Sequence, residues 1–263
     1  MPVYAHHRHT IERLRDHFAP DPNHLALIII GSVARGDAHA RSDVDCLLVV
    51  TDAEYARREA DGRLAFSANH LADYPDGEAN IGTIRRGYLH EVARRGPEPA
   101  RFAFTDALIA WGRIPGLAEL IAAIPHYPEH ERHAKLVSFR SQLPVHLAYM
   151  ELADFSQNPY LLAETAVELV LFGGRLILAH NRMLYPGRKL FVRELERAPD
   201  RPPDLLDRAT ALLKQPGMAS ARAFCDTVAG YHDWPQAPEG ALARFQHDRD
   251  LHWLRGPAAL AET

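Results

Sequence analysis

Two short segments hold side chains whose types and spacing could do chemistry: Gly31-Ser-Val-Ala-Arg-Gly36 and, just after it, Ser42-Asp-Val-Asp45. The apolar runs Leu25–Ile30 and Cys46–Val50 that flank them read as buried strands. On a strand, side chains at i and i+2 share a face, so Asp43 and Asp45 should project together. Two carboxylates aimed at one point repel unless a cation lies between them. Mg²⁺ suits an all-oxygen pair and brings phosphate oxygens with it. Gly31-Ser32, turning a strand into a helix, would offer an anion backbone N–H groups, a hydroxyl and a helix N-terminus. Such a pair facing an anion cradle is the equipment for moving a phosphoryl or nucleotidyl group. Each half alone has a plain structural reading, Asp-x-Asp at a strand end and Gly-Ser in a turn. Their combination between two buried strands points to chemistry.

Gly31-Ser32 … Asp43-Val-Asp45 resembles the signature of the nucleotidyltransferase superfamily that includes DNA polymerase β: Gly-Ser, a short helix, then Asp-x-Asp on the next strand. The fuller string, Gly-Ser-Val-Ala-Arg-Gly-Asp-Ala … Ser-Asp-Val-Asp, is similar to the minimal bacterial nucleotidyltransferases. The size and the helical second half resemble the aminoglycoside and lincosamide nucleotidyltransferases. The resemblance implies that Gly31 and Ser32 hold the phosphates of an NTP and that Asp43 and Asp45 hold Mg²⁺. It also implies that Ser42 fixes the aspartate loop and that Lys189 reaches the triphosphate from the helical domain. Arg35 and Arg41 either reach phosphate or face solvent. The family often adds a third carboxylate on a later strand, and here Glu78-Ala-Asn-Ile-Gly-Thr-Ile84 puts Asn80 and Gly82 at the strand centre instead. Glu78 at its edge, or Asp106 further on, would have to substitute. Glu91, beside His90, is the expected general base, against the plain reading of an exposed helix glutamate.

The elements that would position these residues follow from periodicity. A first helix is predicted over Thr10–Phe18, preceded by a frayed terminus holding His6, His7 and His9, and stopped by Pro20 and Pro22. Strands are predicted at 25–30, 42–50, 79–84 and 101–111, and helices at 33–38, 52–64, 86–95 and 117–124. Two long helices should fill 129–181, with a break near Ser156-Gln-Asn-Pro159. The second is apolar nearly all round yet carries Glu164, Glu168 and Arg175, charges that must pair or face a cleft. The expected plan is an α/β domain over 1–126, a mixed sheet with helices, then an all-α domain over 127–263.

Composition narrows the function classes. With 263 residues and 47% apolar side chains, the chain can bury a core. Its net charge of −4 argues against a sequence-independent nucleic-acid binder. Two isolated cysteines exclude a disulfide scaffold and fit a reducing cytoplasm. No apolar run approaches bilayer length, so no membrane partner is expected. Sixteen histidines lack metal-site spacing. The expectation is Mg²⁺-dependent transfer of NMP, first of all AMP from ATP, to a hydroxyl of a small molecule, antibiotics included, by a protein that could be a homodimer. The alternatives are modification of a protein or RNA, as in toxin–antitoxin pairs, and nucleotide binding without catalysis.

Overall fold

The computed structural model describes residues 4–254. The chain divides into two compact units, Met1–His126 and Tyr127–Thr263.

The first unit is built on a mixed five-stranded sheet of order β3-β4-β2-β1-β5. Its strands are β1 (His24–Ile30), β2 (Val44–Val50), β3 (Ala65–Ser67), β4 (Ala79–Arg85) and β5 (Leu108–Gly112). β1 runs antiparallel to β2 and β5, while β4 runs parallel to β2 and antiparallel to β3. β1 lies next to the sheet edge yet is buried on both faces. Leu27 and Ile29 join one core with Leu14, Phe18 and Val33, and Ala26 and Ile28 join another with Leu89, Phe104 and Ile121. The first core is covered by α1 (Ala5–Phe18) and α2 (Gly31–Arg35). The second is covered by α4 (Arg86–Arg95), α5 (Glu98–Phe102) and α6 (Leu117–Ala123). Between β2 and β3 the chain forms α3 (Asp52–Ala60), capped by the Thr51 hydroxyl.

Three expectations need correction. α1 begins at Ala5, so His6, His7 and His9 are helical. His7 is fully buried and hydrogen-bonded across the unit, which anchors a turn that local sequence would leave frayed. The helix predicted at 33–38 is the short α2, stopped by Gly36 in the left-handed conformation. The strand predicted over 101–111 is mostly not a strand. Its first part belongs to α5, where the buried Arg101 guanidinium donates to the carbonyls of Gly96 and Ile124 at 2.9 and 3.3 Å. A turn with Asp106 at φ 55° then leads into β5.

The second unit is helical. α7 (Arg132–Phe155) and α8 (Pro159–His180) form an antiparallel pair; Arg132 at the start of α7 donates to the carbonyls of Ala179 and His180. Asn158 caps α8 through its side-chain oxygen, with Pro159 just inside. Shorter helices α9 (Phe191–Glu196), α10 (Leu205–Lys214), α11 (Met218–Ala229) and α12 (Ala241–Asp248) complete it. Gly173 lets the Phe224 ring close on α8, since a Cβ there would fall 2.7 Å from that ring. The charges on α8 are accounted for. Glu168 accepts from Arg249 at 2.9 Å, Arg175 lies over the rings of Phe139 and Tyr185, and Glu164 is exposed. Among the described residues no helix is long and apolar enough to cross a membrane.

Candidate functional site

The sheet register lines up one row of residues across four strands. Ile30 faces Asp45, Asp45 faces Asn80, and Asn80 faces Ser67. Gly31 follows Ile30 directly and opens α2 with φ 75°. A Cβ built on Gly31 would fall 2.7 Å from Asp45 Oδ2. Only glycine therefore fits here, by both backbone conformation and space. The turn and the aspartate are thereby pressed together, as phosphate and metal binding would require.

Asp43 sits just before β2 and Asp45 within it, both partly buried. The loop carrying Asp43 is pinned by Ser42. Its hydroxyl accepts from the His39 N–H at 2.9 Å, and its carbonyl accepts from Tyr74 Oη at 2.6 Å and His7 Nε2 at 3.0 Å. Burial raises the Tyr74 hydroxyl's pKa, keeping the donor protonated. Burial, with the neighbouring His6 second, lowers that of His7 and keeps it neutral. Asn80 Nδ2 donates to Asp43 Oδ2 at 3.1 Å, and Ser67 Oγ donates to Asn80 Oδ1 at 3.2 Å. A groove of about 470 Å³ opens beside this row, lined by Asp45, Leu47, Ala65, Ser67, Asn80 and Gly82 among others. Cys46, whose thiol is pushed up mainly by burial and then by Asp45, is no nucleophile here.

Other expected site residues lie elsewhere. Glu91 is not with the aspartates. β4 starts beside Asp45 and runs away from it, so α4 begins at the opposite end of the sheet. Glu91 there lines a separate cavity with Thr83, Arg85 and Tyr88, and pairs with Arg94 and Arg95 at 3.0 and 2.5 Å. These arginines hold its carboxyl below the usual range, Arg95 most strongly, which is the wrong direction for a general base. Arg35 pairs with Asp37 at 3.4 Å, and Arg41 is exposed beside Asp76. Glu78 and Asp106 are exposed. Lys189 is exposed on a 3₁₀ turn, Arg188–Leu190, in the second unit.

Among the described residues no group of three or more His, Cys, Asp or Glu could hold a metal by itself. Asp43 and Asp45 supply hard oxygen donors of the kind Mg²⁺ takes, and they fit an ion whose remaining ligands arrive with a triphosphate. Sequence reasoning missed His7, Tyr74 and Ser67. No local pattern marks them, because each acts across the fold. It read Asn80 only as an absent carboxylate, whereas the structure makes it a donor to Asp43.

Residues 3–73 match the family model described as "Putative nucleotidyltransferase DUF294", a stretch that contains Gly31, Ser32, Asp43 and Asp45. Over that stretch the chain is similar to putative nucleotidyltransferases. A solved structure of a nucleotidyltransferase-like protein from Exiguobacterium sibiricum 255-15 is similar over 95% of this chain and 91% of that one, with 12% identity and a TM-score of 0.48. No curated protein matches the chain.

Proposed function

We propose that the protein transfers a nucleoside monophosphate, AMP from ATP first of all, to a hydroxyl of a small molecule. The observation that carries this reading is the contact between the Gly31 turn and Asp45, with Asp43 two residues earlier. Gly31 and Ser32 would hold the phosphates, and Asp43 and Asp45 would hold the Mg²⁺ that accompanies them. When bound, Mg²⁺ would offset the charge that develops on the phosphate oxygens. The acceptor oxygen attacks the α-phosphorus, forming one P–O bond while the bond to the β-phosphate breaks. Pyrophosphate leaves, and the acceptor proton passes to solvent.

The groove runs from Ile30 and Asp45 to Asn80 and Ser67, and its volume is in the range of small-molecule sites. It would take the acceptor, whose oxygen attacks in line with the leaving pyrophosphate. The deciding experiment incubates the protein with Mg²⁺ and each labelled NTP in the presence of hydroxyl-bearing acceptors, and follows label transfer and pyrophosphate release. Transfer by the wild type and none by Asp45→Asn supports the proposal. Equal release by both overturns it.

One observation favours a second reading. Asn80 stands where a further carboxylate would assist catalysis, as in a protein that binds nucleotide without transferring it. Calorimetric ATP binding with no pyrophosphate release would select that reading.

A further inference from the structure

We propose that Asn80 restricts the site to a single divalent cation, which binds only together with a nucleoside triphosphate. The proposal rests on the nucleotide-binding part of the reading above. Asn80 pairs with Asp45 in the parallel β2–β4 ladder, and its Nδ2 reaches Asp43 Oδ2 at 3.1 Å. The other end of the same amide accepts from Ser67 Oγ. Both ends are thus engaged. An amide nitrogen has no lone pair to give a metal, and the nitrogen is the end that meets Asp43, while the oxygen faces Ser67 and accepts its proton on one of two lone pairs.

Two-ion phosphoryl-transfer sites hold their ions about 3.5–4 Å apart, clamping the attacking and leaving oxygens. Two divalent ions so close need several carboxylates to offset their repulsion. Asp43 and Asp45 are the carboxylates at hand, and the described residues form no group of three or more that could hold a metal. The Asn80 N–H also occupies one of the oxygens that a second ion would take, and points its positive end into that space. What remains is too little for the octahedral shell of a free Mg²⁺, which dehydrates reluctantly. Triphosphate oxygens would complete the shell of one ion.

The test counts bound Mn²⁺ by electron paramagnetic resonance, with and without α,β-methylene-ATP as a nucleotide that cannot transfer. The wild type should bind no tightly held ion without nucleotide, and one ion per bound nucleotide with it. Asn80→Asp puts a carboxylate in the same volume. It should bind two ions per bound nucleotide and raise nucleotide-free Mn²⁺ affinity about tenfold or more, given one added charge at contact distance. Asn80→Ala, which removes the amide without adding charge, should stay at one ion. Two ions in the wild type overturn the proposal, as does a count of one in a folded Asn80→Asp with unchanged thermal melting. If Asn80→Asp fails to fold, the wild-type and Asn80→Ala counts decide. Calorimetry with α,β-methylene-ATP separates the two readings. Absent nucleotide binding overturns the functional reading and this one together, whereas bound nucleotide with two ions overturns only the role of Asn80.

Discussion

His7 and Ser42, 35 residues apart in sequence, are joined by a hydrogen bond of 3.0 Å. The Ser42 carbonyl can only accept, so His7 Nε2 carries the proton. Nδ1 is buried without a hydrogen-bond partner among the described residues. The first helix thereby holds the loop that carries Asp43.

His7→Leu should keep the apolar packing and delete the donor. The expected loss of stability is about 0.5–1.5 kcal/mol, the net worth of one such bond. Tyr74→Phe should behave likewise, because its hydroxyl serves the same carbonyl. The two should couple in a double-mutant cycle of denaturant unfolding. Strict additivity would mean that they do not share the loop.

Gly31→Ala adds a Cβ 2.7 Å from Asp45 Oδ2 in a backbone with φ 75°. Strain of that kind costs about 1–3 kcal/mol, and relief requires Asp45 to move. Unfolding should shift to lower denaturant, and nucleotide affinity should fall even where the protein remains folded. A wild-type melting curve with wild-type affinity would show that the contact is not tight.

Asp43→Asn and Asp45→Asn should abolish transfer with little loss of stability, since each keeps side-chain volume and removes one of two neighbouring negative charges. Glu91→Gln should leave transfer unchanged, because its carboxylate faces Arg94 and Arg95 at the other end of the sheet. Initial rates of pyrophosphate release check all three.

In the second unit, burial lowers the His146 pKa to about 4, with the Arg249 charge adding to it. In the unfolded chain the ring would titrate near 6.5. The unfolded state then binds the extra proton between these values, so stability is full above about 6.5 and falls as pH drops toward about 4. The loss should be on the order of 3 kcal/mol, less what Glu168 at 3.8 Å returns to the protonated ring. His146→Phe, stacked on Phe172 in the same way, should flatten the stability profile across that window. An unchanged slope would assign the acid sensitivity to other groups.

The local features of this protein were legible in its residues. Apolar runs marked β1 and β2, the sequence pattern also placed β4, α4 and α7, and a nearly all-apolar stretch marked α8. The motif itself, Gly31-Ser32 with Asp43 and Asp45, was readable because the elements are short and adjacent. Distant relationships were decided by the tertiary structure. β4 pairs parallel with β2, so its first residues come to the aspartates and whatever follows its last residue is carried a strand's length away. That single choice of direction brought Asn80 to Asp43 and took Glu91 to the far end. Likewise, the buried Arg101 holds the first residues of 101–111 at the end of α5 rather than in a strand, and Ser42 anchors the histidine-rich start of α1. Side-chain periodicity is set within a few residues of backbone. The direction in which strands pair, and the partners that buried polar groups find, depend on how the whole sheet and its cores close.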